Sequence, residues 1–316
     1  MDDAVICIQG PTASGKSELA ERLALRLDGE IVSADSMQVY IGMDIGTAKT
    51  PPTRRRVPYH CIDLLQPGEP YSAALYQRDA RAAIEDIRSR GKRAIVCGGT
   101  GLYVRAALDD MSFAAGQQQD NDVRMRYERL LAEQGAACLH AELERRDPAS
   151  AALIHPNNTR RVVRALEMLD RGESYAERKQ RFKSVPAYYR SVRIALDVSR
   201  PVLYQRIDER VDAMFDAGLI EEVERLLACG FREGLTASQA IGYKEVVAAL
   251  DGTCTLEEAR EQIQRSTRRY AKRQLTWLRS DASIRWLAAD GGVDDALVAA
   301  ACDHIAQAHE RGNGKG

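Results

Sequence analysis

The sequence predicts an α/β protein in which a parallel sheet flanked by helices is interrupted by an all-helical insertion. Three observations carry that expectation. Short apolar runs alternate with helical patterns over the first hundred residues. A complete G-x-x-x-x-G-K-S stands between the first strand pattern and the first helical one. Strand patterns then cease between about 112 and 190, after which one returns.

Ala4-Val5-Ile6-Cys7-Ile8 is an apolar strand, and Ser17 to Leu27 repeats Leu19, Leu23 and Leu27 at helical spacing. Glu30 to Ala34 is a second strand. Tyr71 to Arg90 reads as a helix with Ala74, Leu75, Ala82, Ala83, Ile84 and Ile87 on its apolar side, stopped by Gly91. Arg93 to Cys97 is a third strand, broken by Gly98-Gly99. From Asp122 to Tyr189 the periodicity is helical only, over Val123 to Gln134, Ala136 to Arg145 and Thr159 to Arg171. A strand resumes at Val192 to Leu196, with Ser199 suited to an N-cap and Pro201 to a first helical turn. Helices over Val202–Ala217, Leu219–Cys229, Ala237–Leu250 and Leu256–Arg279 follow. The expected division is a core over 1–111, a helical insertion over 112–190, the core continued over 191–310 and a disordered Gly-rich tail over 311–316.

At roughly 150 residues per domain, 316 residues suit two domains or one core with a large insertion. The 45% apolar and 29% charged content lies near the usual soluble globular figures of about 45–50% and about 25%. No run approaches the ~18–20 apolar residues of a spanning helix, so no membrane association and a cytoplasmic location are expected. Lys and Arg number 45 against 46 Asp and Glu, so a nucleic-acid partner would need a local basic surface. The seven cysteines form no Cys-x-x-Cys pair and the five histidines are dispersed, which predicts reduced thiols and no zinc site.

The motif itself is Gly10-Pro11-Thr12-Ala13-Ser14-Gly15-Lys16-Ser17. Its glycines admit close backbone approach, so successive N–H groups converge on phosphate oxygens at a helix N-terminus. Lys16 reaches phosphate oxygens and Ser17 can hold Mg²⁺. This predicts a P-loop NTPase-like core and a phosphate chain, without saying which. An ordinary P-loop ATPase carries a metal-holding Asp after a later strand; here Cys97-Gly98-Gly99-Thr100-Gly101-Leu102-Tyr103 has no acid. Asp35, in Ser33-Ala34-Asp35-Ser36-Met37-Gln38-Val39-Tyr40, instead follows the second strand at the carboxyl edge of the sheet. It suits a general base, and equally a helix N-cap.

Gln262 to Arg279 carries Arg265, Arg268, Arg269, Lys272, Arg273 and Arg279 with no acid. Arg265, Arg268, Arg269, Lys272, Thr276 and Arg279 share one helical face and Ala271, Leu275 and Leu278 another, so a packed helix with a basic outer stripe is implied. Such a stripe suits a phosphate backbone, or is a solvated face. Arg160, Arg161 and Arg164 form a second cluster, with Arg178, Lys179, Arg181 and Lys183 following. Two basic surfaces suggest a large polyanion.

Taken in order, these segments resemble the tRNA dimethylallyltransferase (tRNA isopentenyltransferase) family. The similarity covers the P-loop, Ser33 to Tyr40, Gly42 to Lys49, Gly98 to Tyr103, Asp147-Pro148 through His155-Pro156-Asn157-Asn158, Arg161 to Glu167, Ala240 to Glu245 and Arg269 to Trp277. Thr159-Arg160 departs from the Gln that precedes the Arg in many relatives. The resemblance implies transfer of a dimethylallyl group from dimethylallyl diphosphate to the exocyclic amine of the adenosine 3′ of the tRNA anticodon, by a monomer using Mg²⁺. It implies Asp35, Thr100, Arg210 and Lys16 as catalytic, and the loop 10–17 with Arg206 as the diphosphate site. It implies tRNA contact through Asp35, Ser36, Met37, Gln38, Thr100, Arg124, Arg160, Arg161, Val162, Val163, Arg164, Gly242, Tyr243, Lys244, Lys272, Arg273, Gln274, Thr276, Trp277 and Arg279. A kinase using ATP would show an Asp after the third strand, a free-adenylate prenyltransferase would not need the basic stripe, and a non-catalytic RNA-binding protein would not need Lys16 with Asp35.

Overall fold

The structure, a computed structural model, describes residues 4–113 and 122–313. Two compact units are formed, Met1–Asp109 with Tyr188–Gly316 and, between them in sequence, Asp110–Ala187.

The larger unit begins with β1 (Val5–Gln9), α1 (Lys16–Leu27), β2 (Gly29–Ser33), β3 (Tyr59–His60), α2 (Ala73–Ser89), β4 (Arg93–Gly98) and α3 (Gly101–Leu108). The smaller unit holds α4 (Asp122–Arg146), α5 (Pro148–Ala151), α6 (Thr159–Asp170) and α7 (Tyr175–Arg181). The larger resumes with β5 (Ser191–Asp197), α8 (Arg200–Asp216), α9 (Leu219–Leu227), α10 (Tyr243–Leu250), α11 (Leu256–Leu278), β6 (Arg285–Ala288) and α12 (Asp295–Asn313).

The six strands are all parallel, in the order β3-β2-β4-β1-β5-β6. β1 and β2 are buried throughout because helices cover both faces, which suits the apolar Val5 to Ile8 and Ile31-Val32. Ile6, Ile8, Ile31, Ile95, Ile194 and Leu196 meet Leu19, Leu23, Leu203 and Ile207 in the main core. The order places β1 beside β4 and β4 beside β2. The turns leaving these three neighbours, which carry the P-loop, Asp35 and Thr100, therefore converge on one carboxyl edge.

Several elements were not expected. β3 is two residues long and β6 four, too short for a readable alternation. α12 buries Val298, Ala301 and Ile305 at i, i+3, i+7, a stripe diluted by alanine. The tail expected from 311 is helical to Asn313; residues 314–316 lie outside the described ones, as do Met1 to Asp3. The helix expected over Ala237–Leu250 starts only at Tyr243, because Gly242 takes φ +97°, outside helical space.

In the smaller unit α4 is kinked at Gly135, whose φ of 80° and ψ of 175° divide it where two helices are expected. Tyr127, Leu139 and Leu143 pack against Val162, Val163 and Leu166 of α6. Asp170 accepts hydrogen bonds from Tyr127 at 2.9 Å and Arg146 at 2.6 Å, fastening the end of α6 to both halves of α4.

Candidate active site

The P-loop turns sharply enough to need two left-handed residues, Ala13 (φ 64°) and Gly15 (φ 92°). A Cβ on Gly10 would stand 2.5 Å from Ser14 Oγ, so glycine is what lets the loop close. Gly10, Pro11 and Ser14 are buried and frame the loop, while Thr12, Ala13, Gly15, Lys16 and Ser17 line a cavity of about 760 Å³. Asp35, Ser36, Met37 and Gln38 line it too, as do Arg210, Arg269 and Arg273.

Charge is arranged to receive an anion. Lys16, Arg210, Lys244, Arg269 and Arg273 face the cavity against two acids, Glu18 and Asp35. Burial pulls the Lys16 ammonium below the ordinary lysine pKa, opposed by Cys97 and Asp35 and reinforced by Arg210. Burial also lowers the Arg210 pKa, and its guanidinium donates to Thr12 Oγ1 at 3.3 Å. Two desolvated cations at one loop gain strongly from a bound polyanion. Apolar groups adjoin them, with Val211, Met214, Ile241 and Ile263 in the same lining.

The residue before the β4 glycines is Cys97, and burial pushes its thiol up to about 11, so it is neutral. Among the described residues no group of three or more His, Cys, Asp or Glu could hold a metal. Hard donors facing the cavity at the loop include the Ser17 hydroxyl and, from the β2 turn, the Asp35 carboxylate. That set fits Mg²⁺ only as an ion taking most of its ligands from phosphate and water, which is its usual habit.

No helix starts at Asp35; its Oδ1 accepts from Met37 N–H at 2.9 Å in a tight turn. The N-cap alternative is thereby overturned. Thr100 Oγ1 accepts from Ser36 N–H at 3.2 Å, so it holds the Asp35 turn and does not line the cavity. The glycines nearby serve packing. A Cβ on Gly98 would lie 2.2 Å from Ala34 O, one on Gly99 2.2 Å from Gln274 Nε2, and one on Gly101 2.1 Å from Trp277 Nε1.

Other expected site residues make contacts of their own within the fold. Gln274, in the cavity lining, is buried, with its Oε1 accepting from Thr12 N–H at 2.9 Å and its Nε2 donating to Gly99 O at 3.0 Å, so it clamps the two loops. Tyr243 is fully buried with its hydroxyl on Glu222. Val162 and Val163 belong to the smaller unit's core. Arg206 donates to Ala289 O at 3.1 Å and Asp290 O at 2.7 Å, away from the cavity, where it fixes the chain after β6. The basic stripe is divided: Arg268 pairs with Asp208 of α8, whereas Lys272, Arg273, Thr276, Trp277 and Arg279 are exposed. Arg124 pairs with Glu128 at 2.8 Å and Arg164 with Glu167 at 3.3 Å, while Arg160 and Arg161 are exposed. Gly242 and Lys244 line the cavity, with Gly242 N–H capped by Glu245 at 2.9 Å.

Residues 38–281 match the family model described as IPP transferase. The chain belongs to that family. A tRNA dimethylallyltransferase of Geobacter sulfurreducens is 50% identical over 285 residues, 90% of this chain and 91% of that one. One of Carboxydothermus hydrogenoformans is 49% identical over 90% and 92%. Among IPP transferase structures, the full-length tRNA isopentenylpyrophosphate transferase of Bacillus halodurans superposes with a TM-score of 0.73 at 41% identity, covering 98% of each chain. A eukaryotic dimethylallyltransferase seen acting on tRNA gives 0.75 at 30% identity, over 91% of this chain and 74% of that one.

The sequence reading missed Glu222, Val211, Met214 and the clamp made by Gln274. For Glu222 a signal exists: Leu219, Glu222, Val223 and Leu226 fall at i, i+3, i+4, i+7, placing an acid on an apolar stripe.

Proposed function

We propose that this chain transfers a dimethylallyl group from dimethylallyl diphosphate to the exocyclic N6 amine of the adenosine 3′ of the tRNA anticodon, releasing diphosphate. The observation that carries the donor assignment is the cavity itself, where Lys16 of the P-loop and Arg210 of α8 share a lining with the apolar Val211, Met214 and Ile263 and no acid follows β4. An anionic head with a hydrocarbon tail matches both halves.

The bond from the allylic carbon to oxygen breaks as the bond to nitrogen forms. Negative charge then grows on the departing diphosphate, and fixed donors aimed there lower the barrier most. Lys16, Arg210 and the loop N–H groups are those donors. Mg²⁺, held by the Ser17 hydroxyl and the phosphates, would supply further charge neutralisation. The adenine amine is weakly nucleophilic because its lone pair is delocalised, so a carboxylate that takes its proton assists. Asp35 takes this role, with Met37 N–H fixing one oxygen. The target base must leave its stack, at a few kcal/mol. Grip on the tRNA supplies that, through the exposed Lys272 and Arg279 on the larger unit and Arg160 and Arg161 on the smaller.

No described helix is long and apolar enough to cross a membrane. A tRNA substrate fits a cytoplasmic location. Thermal melting tests the donor: dimethylallyl diphosphate should raise the midpoint, and protection by ATP in preference to it would favour a kinase.

A further inference from the structure

Glu222 of α9 is 2% exposed and carries a carboxylate deep in the larger unit with four different donors on it. Asp44 N–H reaches Oε2 at 3.2 Å, Ile45 N–H reaches both oxygens at 3.1 and 2.8 Å, Gly46 N–H reaches Oε1 at 3.2 Å, and Tyr243 Oη donates to Oε1 at 2.6 Å. Three successive backbone donors converging on one carboxylate make an anion nest filled by a side chain of the same chain. Tyr243 closes against the same turn, since a Cβ on Gly46 would lie 2.5 Å from its ring.

Both segments joined by this carboxylate reach the cavity, Gly46 to Ala48 on one side and Gly242 to Lys244 on the other. The turn also sets a polar group. Gln38, which faces the cavity, donates from Nε2 to Thr47 O at 3.2 Å while its Oε1 accepts from Ser33 Oγ at 3.0 Å. The far end of the turn is held separately by Lys49, which donates to Asp44 and Asp63 at 2.6 Å each and to Tyr40 O at 2.9 Å. None of these hydrogen bonds involves the P-loop.

We infer that Glu222 is a positioning residue for the acceptor side of the reaction, uniting the 44–48 turn and the 242–244 turn into one wall that orients Gln38 toward the incoming base. The inference rests on the transfer reaction proposed above. Its signature is asymmetric, because the wall meets the acceptor while the phosphate loop holds the donor. Glu222→Gln keeps the shape but turns an N–H₂ toward donors that need an acceptor, and Tyr243→Phe removes a single hydroxyl.

Initial rates for wild type and both variants, taken against tRNA and against dimethylallyl diphosphate well below every melting midpoint, test this. Glu222→Gln should lower kcat/KM for tRNA at least tenfold and Tyr243→Phe about threefold to fivefold, with KM for dimethylallyl diphosphate within twofold of wild type. A lowered melting midpoint with unchanged kinetics, or equal losses for both substrates, overturns the inference and leaves Glu222 a purely structural residue. Should Glu222→Gln fail to fold, Tyr243→Phe decides alone by the same criteria. A wild type that transfers no dimethylallyl group overturns the function and not the wall alone.

Discussion

Gln274 of α11 accepts a hydrogen bond from the Thr12 backbone N–H of the P-loop at 2.9 Å, although 262 residues separate them. The other end of the same amide donates to Gly99 O at 3.0 Å. One side chain thus ties the exposed basic helix to two of the three turns at the carboxyl edge.

Breaking this clamp should loosen the donor site. Gln274→Ala leaves a half-buried N–H and a carbonyl without their partner, costing at most about 1–3 kcal/mol. The expected outcome is a rise of about tenfold in KM for dimethylallyl diphosphate, measured by initial rates, with tRNA affinity nearly unchanged. An unaltered donor KM would show that the P-loop holds its shape without Gln274.

Asp35→Asn keeps the shape of the tight turn, including an oxygen for Met37 N–H, but removes the proton acceptor. Turnover should fall by about 10²–10⁴ while tRNA affinity, read by filter binding, stays nearly constant. Wild-type turnover in this variant contradicts the assignment of Asp35 as base.

Positive charge is divided between two tasks, and salt separates them. Removing one cation that neutralises a nucleic-acid phosphate lowers the slope of log affinity against log salt by about one or less. Replacing the exposed Lys272 and Arg279 by Ala should weaken tRNA binding and flatten that slope, with donor affinity intact. Lys16→Ala should abolish donor binding and leave the slope alone. If the double replacement leaves affinity and slope unchanged across the series, the α11 surface is a solvated face.

Glu30 provides a pH-dependent contribution to stability. Hydrogen bonds from Arg90, at 2.5 and 2.8 Å, hold its carboxyl at about 2 against an ordinary 4.5, with burial opposing and His60 assisting. The folded pKa lies below the unfolded one, so the stabilisation is complete above about 4.5 and is lost as pH falls toward about 2. Glu30→Gln should therefore lower the urea midpoint at pH 7, and its gap to wild type should close over that interval. A gap constant with pH contradicts the coupling.

What was legible in the sequence was local. The P-loop declares itself because strand, turn and helix are contiguous, and β2, β4 and β5 because their buried centres, Ile31-Val32, Ala94 to Cys97 and Ile194 to Leu196, are apolar. The Gly98-Gly99 break was visible, yet its cause was not: those glycines yield space to Ala34 and Gln274, partners set only by strand order and by α11 packing. For the same reason periodicity placed α11 but could not say that Arg268 turns to Asp208 while Lys272 stays exposed. Arg206 and Arg210 lie one turn apart on α8, and only the position of β6 decides that the first serves the chain after β6 and the second the P-loop. Buried polar groups such as Glu222 satisfy themselves through distant backbone, which residue spacing cannot encode.

The central claim is that one cavity joins a prenyl diphosphate to a tRNA adenosine. It is tested most directly by incubating the chain and Mg²⁺ with labelled dimethylallyl diphosphate or labelled ATP, each with unmodified tRNA or with AMP, and measuring label in the acceptor. The account predicts label only from dimethylallyl diphosphate into tRNA, recovered after digestion as N6-substituted adenosine. Label in AMP, or label from ATP in either acceptor with none from the prenyl diphosphate, would contradict it.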